Sequence, residues 1–221
     1  MSIVPELLPM WFLWGMFLPT CLTLCWAIWK TNWQALKAQA YLQHIFYIAC
    51  LVLVVLWSIR AGISSGLGIH FMGLTAATLL MGWSLAILAG ALSLLFVCFL
   101  GLEAFEAYSI NFMVSVALPV MTSHLVLKTV QKTLPANPFI YIFLCGFFNG
   151  AIAIFTVAVS TSLLLGCLDV YSWDDVYHNY FMYVPLMLFP EAFVNGMVVA
   201  GVMGTKPELL SSFNVDEYFK G

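Results

Sequence analysis

The chain has 221 residues, of which 63% are hydrophobic and only 8% are charged, and its mean hydropathy is +1.02. A soluble domain usually carries about 25% charged residues, so this chain cannot cover a solvated surface of its own size. Its net charge of −3 comes with no basic patch, so we expect no nucleic-acid partner. The composition predicts an all-α, polytopic transmembrane helical bundle, a single domain in contact with membrane lipid, in the inner or plasma membrane of the cell.

About seven apolar segments are predicted along the chain. The first two, residues 8–29 and 42–59, end at basic residues, and a Gly-rich stretch separates the second from a long apolar run at residues 69–101. Three more segments follow, and a polar tail closes the chain. These last elements lie at residues 108–127, 138–167, 181–203 and 204–221.

The distribution of basic residues decides how the long run is divided. As one helix it would be roughly 50 Å long, well over the ~30 Å hydrocarbon core. If it crosses twice, all the lysines fall on one side and Arg60 alone falls on the other. The positive-inside rule favours that arrangement, which predicts segments at 70–81 and 83–101, the N-terminus outside and a cytoplasmic tail. The short segment at 70–81 is expected to be shielded by protein. The lysines are Lys30, Lys37, Lys128, Lys132, Lys206 and Lys220.

Two nitrogen-bearing groups on the predicted outer side are candidate metal ligands. No Lys or Arg precedes the first apolar segment, so the start of the chain lacks the charged region of a signal peptide, and we expect Met1 to be kept. Its α-amine, with a pKa near 8, could bind a transition metal if it folds inward. His70 could bind the same cation, or it could simply be hydrogen-bonded at a helix end.

Glu191 and Asn195 lie four residues apart in the last apolar segment, after Pro190. At this spacing the two side chains share a helix face and can contact each other. A carboxyl at membrane depth must be paired, hydrogen-bonded or protonated. We interpret the pair as a structural clasp between helices, with a place on a transport path as the alternative.

Other polar and sulfur-bearing groups have weaker interpretations. An acidic set on the outer side could concentrate cations, but we interpret it as a solvated loop. Its members are Glu103, Glu106, Asp169, Asp174, Asp175 and His178. The six cysteines lie in or beside apolar segments and are expected to be free, although Cys21, Cys25 and Met16 could form a soft-metal site.

The sequence contains no enzyme signature. It has no phosphate-binding loop, no His-Glu-x-x-His motif and no nucleophile elbow. We therefore predict a protein that is not an enzyme, and active transport would require separate ATPase subunits.

Several motifs, in order, resemble those of the CbiM/NikM family. These are HFMGLTAATLLMG at residues 70–82, LAILAGAL at 85–92, PFIYIF and GFF within 138–148, FPEAFVNGM at 189–197, and the tail at 206–218. Members of this family are the substrate-specific membrane components of energy-coupling-factor transporters for cobalt and nickel.

The resemblance implies a metal site near the outer face. In the family, the ligands are the N-terminal amine, the amide and imidazole of the second residue, and a histidine of the third segment. Met1 and His70 match two of these positions, but Ser2 replaces the family's second-position histidine. Asn111 lies where the family often has an asparagine close to the site, and it could support His70 by a hydrogen bond. Four nitrogen donors in a plane suit Co²⁺, Ni²⁺ or Cu²⁺.

Three functions are therefore considered. The leading hypothesis is a substrate-binding subunit that captures Co²⁺ or Ni²⁺ as transported ligand, holds no permanent cofactor, and works with a transmembrane coupling subunit and cytoplasmic ATPases. The alternative is a non-transporting relative that is an accessory or structural subunit of a larger membrane complex, which Ser2 favours. The third is a transporter of another ligand, such as a soft metal bound by cysteines and methionines.

Overall fold

The computed structural model describes residues 3–62 and 68–219. The first third of the chain forms three helices after a 3-10 turn at Pro5–Leu7. The side chain of Asn32 accepts a hydrogen bond from the Ala35 amide and so starts the short second helix. The helices are α1 (Met10–Lys30), α2 (Trp33–Ala38) and α3 (Ala40–Ser58).

A small antiparallel pair leads into the middle of the chain. Strand β1 (Ala61–Gly62) pairs with β2 (Gly68–Ile69), with Ala61 opposite Ile69. Helices α4 (Leu74–Met81) and α5 (Trp83–Phe99) follow. The long apolar run is divided at Gly82, where φ is +81°, because a residue in this conformation cannot continue a right-handed helix and glycine adopts it without a steric penalty.

The remaining helices are long and partly irregular. α6 contains a π-helical stretch at Met113–Ala117, and α7 contains one at Tyr141–Phe148. Pro190 lies inside α9. These helices are α6 (Phe105–Thr133), α7 (Pro138–Cys167), α8 (Trp173–Asn179), α9 (Val184–Thr205) and α10 (Val215–Phe219).

The predicted all-helical membrane architecture is confirmed. Among the described residues, 5 helices are long and apolar enough to cross a membrane: α1, α3, α6, α7 and the stretch Trp173–Thr205. The apolar helix α5 is shorter than these, and α4 is far too short, since 8 residues extend only about 12 Å. The number of spans by length is therefore lower than the seven segments predicted.

Helix α4 lies at the centre of the bundle. Seven of its 8 residues are buried, and it packs against α3, α5, α6, α7 and α9. A helix surrounded in this way has no lipid-facing side, so protein groups must satisfy the main-chain atoms at both of its ends.

Different residues lie at the two ends of the bundle. At one end, here called the His70 end, Arg60 pairs with Glu103 close to the start of α4. At the other, the lysine end, the Trp26 ring lies against Trp83, and the tail after α9 bonds to the end of α4.

Close packing of α5 against α6 supplies a first prediction. A Cβ atom on Gly90 would lie 2.5 Å from Val116 Cγ1, so Gly90→Ala must push the two helices apart. Overpacking of this kind costs about 1–3 kcal/mol, and we expect a lower midpoint of thermal unfolding in detergent. Gly201→Ala is the control, because a Cβ there meets nothing within 4 Å. Equal midpoints for the two variants would contradict this packing.

Candidate functional site

His70 lies in the short link between β2 and α4. Its side chain is buried at 3% exposure, and its ring lies 5.9 Å from the ring of Trp57. The indole nitrogen of Trp57 donates a hydrogen bond to the Met72 carbonyl at 3.2 Å. Trp57 therefore fixes the chain on which His70 is carried.

The protonation of His70 suits metal binding. Burial lowers the pKa of the imidazole well below its ordinary value, so the ring is neutral at neutral pH. Nδ1 lies 3.1 Å from the Phe71 carbonyl oxygen, which can only accept a hydrogen bond. Nδ1 therefore carries the proton, and Nε2 is the ring nitrogen of acceptor character.

The start of the described chain is folded into the bundle beside this link. Ile3 is 2% exposed and packs in one apolar cluster with Met72 and Ile110. Asn111 binds the main chain of Ile3 twice, because its Oδ1 accepts from the Ile3 amide at 2.8 Å and its Nδ2 donates to the Ile3 carbonyl at 3.2 Å. Two candidate positions, Met1 and Ser2, lie outside the described residues.

Glu103 links Asn111 to Arg60 by accepting a hydrogen bond from each of them. The Asn111 Nδ2 group also donates to Glu103 Oε2 at 2.9 Å, and Arg60 Nη2 donates to Glu103 Oε1 at 2.9 Å. The sequence alone places Glu103 in an acidic set and leaves Arg60 as the one basic residue on the predicted outer side. They are 43 positions apart in the sequence, and no local signal predicts that they pair.

Glu191 and Asn195 clasp the start of α4. The Glu191 carboxylate accepts hydrogen bonds from the Met72 amide at 2.9 Å and from the Gly73 amide at 2.8 Å. Asn195 Oδ1 accepts from the Ala76 amide at 2.8 Å, and its Nδ2 donates to Glu191 Oε1 at 2.8 Å. The two side chains, at 1% and 0% exposure, thus occupy main-chain donors of the helix that follows His70.

The other candidate groups are not gathered into a site. Among residues 3–62 and 68–219, no group of three or more His, Cys, Asp or Glu side chains could hold a metal ion. Cys21 and Cys25 are exposed on α1. His178 pairs with Asp174 at 3.2 Å on an exposed part of α8.

These features define a helical membrane protein in which a largely apolar bundle surrounds one short buried helix with polar groups at its ends. The family profile described as "CbiM: Cobalt uptake substrate-specific transmembrane region" matches residues 3–209, and the chain belongs to the CbiM family. It is therefore a membrane component of metal uptake, as the motifs predicted.

Two solved structures share this fold. One, described as a truncated transition metal transporter, has a TM-score of 0.76 and 15% identity, and the match covers 92% of this chain and 99% of that chain. The other, described as a transition metal transporter, has a TM-score of 0.76 and 16% identity, and the match covers 92% and 93%. A search of curated proteins finds no match.

The clasp on α4 supplies a second prediction. Glu191→Ala leaves the Met72 and Gly73 amides without their acceptors, and each buried unsatisfied donor costs about 1–3 kcal/mol. We expect a lower unfolding midpoint and faster hydrogen exchange at these two amides. Glu106→Ala, which removes an exposed carboxylate, is the control. Unchanged exchange at Met72 and Gly73 would show that the clasp does not hold the helix.

Proposed function

We propose that this chain is the metal-capturing membrane subunit of an importer for Co²⁺ or Ni²⁺. The ion binds at the outer face, between the His70 imidazole and main-chain nitrogens of the residues that precede Ile3. It is the transported substrate and not a resident cofactor.

The observation that carries this proposal is the inward folding of the N-terminal segment, which the structure describes from Ile3 onward. Ile3 shares an apolar cluster with Met72, two residues beyond His70. Met1 is two residues from Ile3, and two residues reach at most about 7 Å. The covalent chain therefore keeps the Met1 amine and the Ser2 amide nitrogen close to Ile3. This reach supports the proposal that they bind the same cation as His70.

The charge distribution supports an orientation with the His70 end outside. Lys30 ends α1, and Lys128 and Lys132 lie in the last turns of α6, at the lysine end of the bundle. Lys206 follows α9 at the same end, beside the docked tail. Because positive residues are retained on the cytoplasmic side, this distribution favours capture from outside and release toward the cytoplasm.

The proposed partners are a transmembrane coupling subunit and two cytoplasmic ATPases. The sequence has no phosphate-binding loop, so uptake against a gradient requires an energy source in another chain. The second candidate function, an accessory subunit that transports nothing, is favoured by Ser2, since a hydroxyl is a weaker ligand than an imidazole for a late transition metal.

Removing the His70 imidazole tests the site directly. We expect His70→Ala to reduce Co²⁺ and Ni²⁺ binding by at least about tenfold, because the imidazole is one of the few strong donors of the proposed site and its loss costs more than about 1.4 kcal/mol. Binding is measured by calorimetry on purified protein with its native N-terminus, and accumulation is measured in the reconstituted complex.

His178→Ala is the matched control for that experiment, since it removes an exposed imidazole on α8. Ser2→Ala is expected to have a smaller effect than His70→Ala. If uptake is unchanged in His70→Ala, the metal site proposed here is wrong, and stable purification with a partner that is not an ATPase would favour the accessory function.

Restoring the missing donor gives the opposite prediction. Ser2→His supplies an imidazole next to the inserted Ile3, and we expect it to tighten Ni²⁺ or Co²⁺ binding by at least about tenfold. An N-terminal extension on the same variant should abolish the gain by blocking the amine. Equal affinity of Ser2→His and the wild-type protein would exclude the second residue from the coordination sphere.

A further inference from the structure

We propose that Glu103 is a positioning residue that ties together the two chain segments bearing the metal ligands. Each of its carboxylate oxygens holds one of these segments. This inference rests on the proposed function. In it, Glu103 sets the distance between the N-terminal segment and the link that carries His70.

The first oxygen holds the base of the loop that leads to His70. Arg60 donates from Nη2 to Glu103 Oε1 at 2.9 Å, from Nη1 to the Leu102 carbonyl at 3.0 Å and from Nε to the Trp57 carbonyl at 2.8 Å. Arg60 directly precedes β1, whose partner strand β2 ends one residue before His70. The guanidinium therefore fixes the point from which the loop leaves the bundle.

The second oxygen sets the orientation of Asn111. An ionised carboxylate only accepts hydrogen bonds, so the Asn111 amide must turn its Nδ2 toward Glu103 Oε2, at 2.9 Å. Oδ1 then faces the other way and accepts from the Ile3 amide at 2.8 Å. Through this one amide group, Glu103 determines how the N-terminal segment is held.

Burial makes this arrangement selective for a carboxylate. The Glu103 side chain is 4% exposed and that of Arg60 is 19% exposed, and Arg60 is the single arginine of the chain. Arg60 and Asn111 approach different oxygens of Glu103, and a glutamine at position 103 would place its NH2 group, which is a donor, against one of them. It would have to release one of the two segments.

The experiment compares Glu103→Gln with Glu106→Gln, which removes an exposed carboxylate from the same loop. The first readout needs no metal. It is the rate of hydrogen exchange at the Ile3 amide, measured by NMR on isoleucine-labelled protein with its native N-terminus. The second is the affinity for Ni²⁺ and Co²⁺. We expect Glu103→Gln to lose the protection of Ile3 and to bind metal about 10–100-fold more weakly. Glu106→Gln should change neither.

A double variant separates positioning from simple destabilisation. Glu103→Gln leaves the Arg60 charge without its partner, which lowers stability by itself. Arg60→Gln with Glu103→Gln removes that charge together with its bonds to the Trp57 and Leu102 carbonyls, so we expect the unfolding midpoint to recover in part while the exchange of Ile3 stays fast and metal binding stays weak. Recovery of all three would overturn the proposal, as would Ile3 protection or metal affinity unchanged in Glu103→Gln.

Failure of the proposed function is distinguishable in the same experiment. If the wild-type protein binds neither Ni²⁺ nor Co²⁺, the metal site is wrong whatever the variants do. The exchange of the Ile3 amide then decides alone whether Glu103 positions the N-terminal segment.

Discussion

The hydrogen bonds that Glu191 and Asn195 accept from amides at the start of α4 are the interaction on which the rest of the structure depends. A helix of 8 residues buried at the centre of a membrane bundle has free amides at its start and no water to satisfy them. A carboxylate and an amide from α9 accept from Met72, Gly73 and Ala76 instead. Without them, the link that carries His70 would lose its main-chain hydrogen bonds to α9.

The same part of the chain also holds the other end of α4. After α9 ends, Ser212 Oγ donates to the Leu79 carbonyl at 2.9 Å, and the Ser211 amide donates to the Leu80 carbonyl at 3.2 Å. The tail is therefore docked, and Gln131 Nε2 binds the Ser212 carbonyl at 2.8 Å. Because α9 and its tail satisfy both ends of α4, the His70 end and the lysine end are connected through one buried helix that is hydrogen-bonded at both ends by the same part of the chain.

Local patterns in the sequence could predict the helical class and some contacts, but not the site. The i, i+4 spacing of Glu191 and Asn195 indicates that they touch, and composition alone predicts a membrane bundle. The partners of Glu191 are 119 and 118 residues away, and Ile3 is 108 residues from Asn111. Such pairs are fixed by how the helices pack, and no period or propensity in the sequence encodes them.

The network around Ile3 bears on the meaning of Ser2. The side chains that hold the N-terminal segment, Asn111, Glu103 and Arg60, form a continuous set of buried and partly buried hydrogen bonds. Buried polar groups are costly unless every member is satisfied, so a chain that had no use for an ordered N-terminal segment would gain by replacing them with apolar residues. Their presence argues that the segment still has to be held in one place. The difference between a capturing subunit and an accessory one then rests on the donor that residue 2 offers. Main-chain nitrogens with one histidine would bind the ion more weakly than a four-nitrogen site and would release it faster.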